Sequence, residues 1–125
     1  MKVLLVEADH AVRDILKVAL QQFDGSSVDM AEDSWALELA RSNAYDMLVI
    51  SDTLQEPGDG IKLLQDLRAG GLMGPAILLS RDRGEASGLR KREAVDVAQV
   101  LTVPPDTVEI FKAVVAAQDR MAGRR

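Results

Sequence analysis

The chain has 125 residues, enough for one domain with one core, and its 47% apolar and 28% charged residues exclude a disordered segment. A net charge of -5 speaks against a general basic surface for nucleic acid or anionic membrane. There is no cysteine, which excludes disulfides and thiolate metal sites, and no apolar run approaches membrane-spanning length. The first residues are too short an apolar run for a signal peptide, so the expectation is a soluble cytoplasmic domain.

Val3-Leu4-Leu5-Val6 predicts a buried strand that ends in Glu7-Ala8-Asp9. Asp9 can cap a helix whose apolar residues, Val12, Ile15, Leu16, Ala19, Leu20 and Phe23, keep helical period until Asp24-Gly25 stops it. Ser27-Val28-Asp29-Met30 alternates weakly and predicts an edge strand. Asp33 or Ser34 can cap a second helix, Trp35 to about Arg41, with Ala36, Leu39 and Ala40 inward. Trp35, the one tryptophan, is read as a partly buried packing residue, and His10 as a surface residue.

Leu48-Val49-Ile50-Ser51-Asp52 is the stretch around which the rest is organised. An apolar run closed by turn chemistry at residues 53–60 reads as a strand buried on both faces, with Asp52 just past its carboxyl end. A third helix over residues 61–69 turns Ile61, Leu64 and Leu67 inward. Pro75-Ala76-Ile77-Leu78-Leu79-Ser80 is the fourth strand, with its proline where no ladder donor is needed. Residues 81–92 are polar and give a short helix with thin burial at Ala86 and Leu89. Residues 99–103 form the fifth strand, broken by Pro104-Pro105. Asp106 caps a last helix with Val108, Phe111, Val114 and Val115 inward. The domain is expected over residues 1–121, with 122–125 a basic tail or the start of a linker.

Strands and helices alternate five times, which predicts an α/β fold of the flavodoxin-like type: a doubly wound five-stranded parallel sheet, order 2-1-3-4-5, with five helices. Strands 1 and 3 are then neighbours at the switch point. Glu7, Asp9 and Asp52 converge there, with Ser80 one strand away. Convergent carboxylates raise one another's pKa unless a cation joins them, and oxygen-only ligands suit Mg²⁺. A carboxylate in such a place can act as a nucleophile toward phosphorus, with the Ser80 hydroxyl on a phosphoryl oxygen. Equally, the acids can simply cap turns at strand ends.

These residues resemble the receiver domain of bacterial response regulators, the phosphoacceptor half of two-component signalling, over essentially the whole chain. Glu7-Ala8-Asp9 before Arg13, Asp52 followed eight residues on by Gly60, Ser80 after a Pro-initiated strand, and Pro104 stand in the family's order. The resemblance implies Asp52 as phosphoacceptor and Ser80 as switch hydroxyl. It implies Mg²⁺, weakly held or absent, with Glu7, Asp9, Asp52 and the backbone carbonyl of Leu54 as its ligands. It implies no catalytic turnover of its own. The partners it implies are a histidine kinase or phosphotransfer protein, and an output partner or effector domain on the face of the fourth helix, fifth strand and fifth helix. A homodimer is among the assemblies allowed; nucleic acid and membrane are not partners of this domain.

The chain also departs from the pattern. Aligned through Arg13, the acidic pair is Glu7-Ala8, so the family's direct metal ligand is an alanine, and Asp9 falls one place late. The family's phosphate-pairing lysine is Val103, and its aromatic switch position is Val100. The resemblance thus describes a degenerate member, and the alternative is a phosphorylation-independent pseudo-receiver that binds protein partners. A small hydrolase or phosphatase with Asp52 as nucleophile ranks lower, because no general acid and no Gly-rich phosphate loop accompany it. A flavodoxin ranks lower still, for want of a pair of flavin-stacking aromatics.

Overall fold

Five short strands lie side by side in the order β2-β1-β3-β4-β5, all neighbouring pairs parallel. They are β1 (Lys2–Val6), β2 (Ser27–Ala31), β3 (Met47–Ser51), β4 (Ala76–Ser80) and β5 (Gln99–Thr102). The helices are α1 (His10–Gln21), α2 (Trp35–Ser42), α3 (Asp59–Ala69) and, last in the chain, α4 (Thr107–Ala122). The computed structural model describes residues 1–81, 97–103 and 105–122, the last three by backbone alone. The predicted sheet order is therefore found. Among the described residues there are four helices rather than five, and the helix expected over residues 81–92 lies almost wholly outside them.

The period-2 geometry of a strand divides the core into two layers. Val3 and Leu5, Met47 and Val49, and Ile77 and Leu79 face α1 and α4. Leu4 and Val6, Leu48 and Ile50, and Ala76 and Leu78 face α2 and α3. Every residue of β3 and β4 is buried, which is why their sequence is a continuous apolar run rather than an alternation. β2 lies at one edge and is only partly buried, in keeping with its weak pattern.

The inward faces of two helices differ in phase from the sequence reading. In α1, Val12, Leu16, Ala19 and Leu20 are buried, but Ile15 is exposed. In α4, Ile110, Ala113, Val114 and Ala117 face the sheet, while Val108 and Phe111 are exposed and Val115 is half-buried. Phe111 instead stacks on Phe23, at the end of α1, with ring centroids 5.3 Å apart. An aromatic pair stabilises such a helix–helix rim without entering the core. Trp35 is also corrected: it is 60% exposed on the first turn of α2, where the core position is taken by Ala36.

Register brings the strand ends level. Val6 pairs with Ile50, Ser51 with Leu79, and Ser80 with Thr102. Glu7, Asp52, Ser80 and Val103 each follow or end a strand, so they gather at the carboxyl edge of the sheet.

Candidate functional site

Asp52 leaves β3 with its backbone N–H donated to the Leu79 carbonyl at 2.8 Å, which ties it to β4. Ser80, the last residue of β4, is fully buried and donates its hydroxyl to Asp52 Oδ2 at 3.0 Å. Asp52 itself is 5% exposed. The pair is thus a buried carboxylate and a buried hydroxyl on adjacent strands, in direct contact.

Gly60 explains how α3 can start beside them. Its N–H donates to the Asp52 carbonyl at 3.0 Å. A Cβ placed there would sit 1.7 Å from the Ser51 carbonyl oxygen, so no residue with a side chain fits without moving backbone. The spacing from Asp52 to Gly60 is therefore set by close approach of two chain segments.

The turn between them has an organiser that the sequence reading did not single out. Asp59 accepts the N–H groups of Leu54 (2.7 Å), Gln55 (2.9 Å) and Glu56 (3.0 Å). Partial burial alone would raise the pKa of its carboxyl, but these amides and that of Gly60 outweigh it and hold the group below its ordinary value. Gly58, at φ 83°, supplies the left-handed residue just before the helix. Asp59 lies five, four and three residues after these donors, so it holds the turn by reaching back along the chain.

The β1 end is arranged differently. Glu7 is 1% exposed; its Oε1 accepts the Asp9 N–H at 3.0 Å. Its Oε2 is buried without a hydrogen-bond partner among the described residues. Burial pushes the Glu7 carboxyl up, partly offset by the Asp9 amide and by the nearby Ser51 hydroxyl, whose proton is directed at the Thr53 carbonyl (2.8 Å). Asp9 is the N-cap of α1: Oδ1 accepts the N–H groups of Ala11 (3.0 Å) and Val12 (3.3 Å), which hold its pKa down. Its other oxygen faces Arg81 Nη2 at 3.5 Å, and the same nitrogen lies 3.9 Å from Glu7 Oε1. Sequence reading missed this contact, which joins residues 72 apart in the chain.

The remaining expected residues lie apart from this contact. Leu54 sits in the turn with its N–H on Asp59. Val103 is buried in the core layer of α1 and α4, and Val100 is half-buried against the other layer. Arg13 pairs at 2.9 Å with Glu32, the residue after β2. The donor set does not fit a divalent cation as it stands. Ala8 offers no oxygen, Asp9 is committed to its cap and to Arg81, and among the described residues no three acids or histidines are grouped to hold a metal.

No protein-family model matches the chain. The response regulator MprA of Mycobacterium avium (strain 104) is 36% identical over 81 residues, covering 64% of this chain and 35% of the relative. The response regulator MprA of Mycobacterium leprae (strain TN) is likewise 36% identical over 81 residues. The chain thus spans about a third of the length of the curated relatives it matches, at 35% coverage. The receiver domain of the Francisella response regulator 1452 superposes with a TM-score of 0.79 at 26% identity, over 95% of this chain and 98% of that one. Together these likenesses support a response-regulator receiver domain.

Its fold is also that of the chemotaxis response regulator CheY4 of Vibrio cholerae, with a TM-score of 0.81 at 20% identity, a likeness of architecture alone. Within this fold the Asp52–Ser80 contact and the Gly60 approach occupy the carboxyl edge of the sheet, where the resemblance places the family's chemistry. No helix among the described residues is long and apolar enough to cross a membrane.

Proposed function

We propose that this receiver domain accepts a phosphoryl group on Asp52 within a two-component or phosphorelay pathway of a bacterial cytoplasm, by weakened chemistry. The observation that carries the reading is the buried Ser80 hydroxyl on Asp52 Oδ2 at 3.0 Å. A hydroxyl there can follow the charge from the carboxylate to a phosphoryl oxygen. The donor is a phosphohistidine on a kinase or phosphotransfer protein. An Asp52 oxygen attacks phosphorus, the P–N bond breaks, and its electron pair returns to the imidazole, which takes a proton from solvent. The product is an acyl phosphate on Asp52.

Two residues weaken this step. Ala8 supplies no carboxylate and Val103 no ammonium. A missing charge-assisted contact of about 1.5–3 kcal/mol slows the transfer by about one to two orders of magnitude. The same two residues support a second reading, a pseudo-receiver that binds protein partners without phosphate. Burial of Val103 in the core favours it, because that position serves packing.

Amide NMR spectra with beryllofluoride, a mimic of the phosphoryl group on aspartate, test the choice. Wild type should shift at Asp52, Ser80 and their neighbours, and Asp52→Asn should not. Identical spectra with and without the mimic, at every Mg²⁺ concentration, would leave the pseudo-receiver as the reading.

A further inference from the structure

The corner of the site where a divalent ion would be sought contains a cation that belongs to the chain. Arg81 follows Ser80 directly, and its Nη2 approaches Asp9 Oδ2 at 3.5 Å and Glu7 Oε1 at 3.9 Å. We infer that Arg81 is the built-in counter-ion of the site. It takes the position between Glu7 and Asp9 that a metal would need, and it offers the positive charge toward a phosphoryl group on Asp52 that residues 8 and 103 do not. The inference rests on the reading of Asp52 as acceptor and names the cation of that same site.

Three observations support it. Glu7 is 1% exposed with its Oε2 unpartnered among the described residues, and a buried carboxylate of this kind is stabilised by a nearby positive charge such as the guanidinium 3.9 Å from its Oε1. A guanidinium stays charged throughout the folding range and carries five donors, so contact with two carboxylates through one nitrogen leaves others for phosphoryl oxygens. The pair distances exceed the 2.7–2.9 Å of a tight charge-assisted bond and the Arg81 side chain is 55% exposed, so it is not locked onto the acids. It starts one residue from the hydroxyl that already touches Asp52. A divalent ion entering beside Glu7 must therefore displace, or work against, a positive charge already there. At about 4 Å and the dielectric constant of water, that repulsion is worth about thirtyfold in affinity before the side chain moves away.

The test is a Mg²⁺ titration of wild type, Arg81→Ala and Arg81→Lys by calorimetry. Fluorine NMR of beryllofluoride uptake in chelator and in Mg²⁺ accompanies it, and amide spectra confirm each fold. Arg81→Ala should bind Mg²⁺ about tenfold more tightly than wild type, while Arg81→Lys stays weak. Beryllofluoride uptake should depend little on Mg²⁺ in wild type and strongly in Arg81→Ala. An unchanged Mg²⁺ affinity in Arg81→Ala would overturn the inference, whatever the fluorine spectra show. Should wild type take up no beryllofluoride under any condition, the acceptor reading falls on its own, and the Mg²⁺ titration still decides whether Arg81 is the counter-ion.

Discussion

At the end of β3, Ser80 and Gly60 each donate to Asp52 at 3.0 Å, Asp59 accepts the N–H groups of the following turn at 2.7–3.0 Å, and Asp52 and Ser80 are buried. At the end of β1, Glu7 and Asp9 meet Arg81 across 3.5–3.9 Å beside a half-exposed side chain. The first region is held by backbone approach and directed donors, which tolerate little change. The second is held by charge, which several residues could supply. On the proposed reading of Asp52 and Arg81, the difference teaches that a phosphoacceptor frame and its cation are separable in this fold. The acceptor, its hydroxyl and the glycine that seats the next helix stay together, while the cation is drawn from another position.

The sharpest way to break the acceptor side is Gly60→Ala. A Cβ 1.7 Å from the Ser51 carbonyl forces β3 and α3 apart, at a cost of about 3 kcal/mol or more. Urea unfolding reads the loss as a lower midpoint, and a change below about 1 kcal/mol would mean that the approach is not as close as described.

The cation side can be pushed in the other direction. Val103→Lys puts an ammonium stem where a buried valine packs, and should cost about 2 kcal/mol. Combined with Ala8→Asp it should bind Mg²⁺ at least about tenfold more tightly than wild type, since a new ligand oxygen joins the corner. Calorimetry checks both, and a double variant that binds Mg²⁺ no better would show that residue 8 has been aligned to the wrong place.

A smaller effect tests the turn between β3 and α3. Asp59→Ala removes the acceptor for three backbone N–H groups and should cost about 1–2 kcal/mol at neutral pH. The amides hold its carboxyl below the ordinary 3.8, so the folded chain binds that proton less readily than the unfolded chain. The stabilisation is present above the unfolded pKa and is lost as pH falls through the lower folded value. Chemical denaturation between neutral and strongly acidic pH should show the gap between wild type and variant closing only below about pH 4.

The sheet was legible because β3, β4 and β1 are continuous apolar runs, and burial on both faces leaves no other economical arrangement for them. The helices were legible in period but less so in phase. Ile15, Val108 and Phe111 match an apolar face by spacing, yet smaller residues such as Ala113 and Ala117 are the ones that let α4 approach the sheet. Trp35 misled for a related reason, because size and hydrophobicity say nothing of which side of a short helix meets the sheet. On the site, Asp52 and Ser80 could be named from strand ends. Asp59 could have been found from its turn. Arg81 could not, since its partners lie at the other end of the sequence and it sits beside a polar stretch whose pattern hides it.

The central claim, that Asp52 is an acceptor for a phosphoryl group, is tested most directly by intact-mass measurement after incubation with acetyl phosphate. Wild type should gain the mass of one phosphoryl group, slowly, and lose it on treatment with hydroxylamine, which cleaves acyl phosphates. Asp52→Asn, with its fold confirmed, should gain nothing. Equal labelling of both proteins, or none of either after prolonged incubation, would contradict the account.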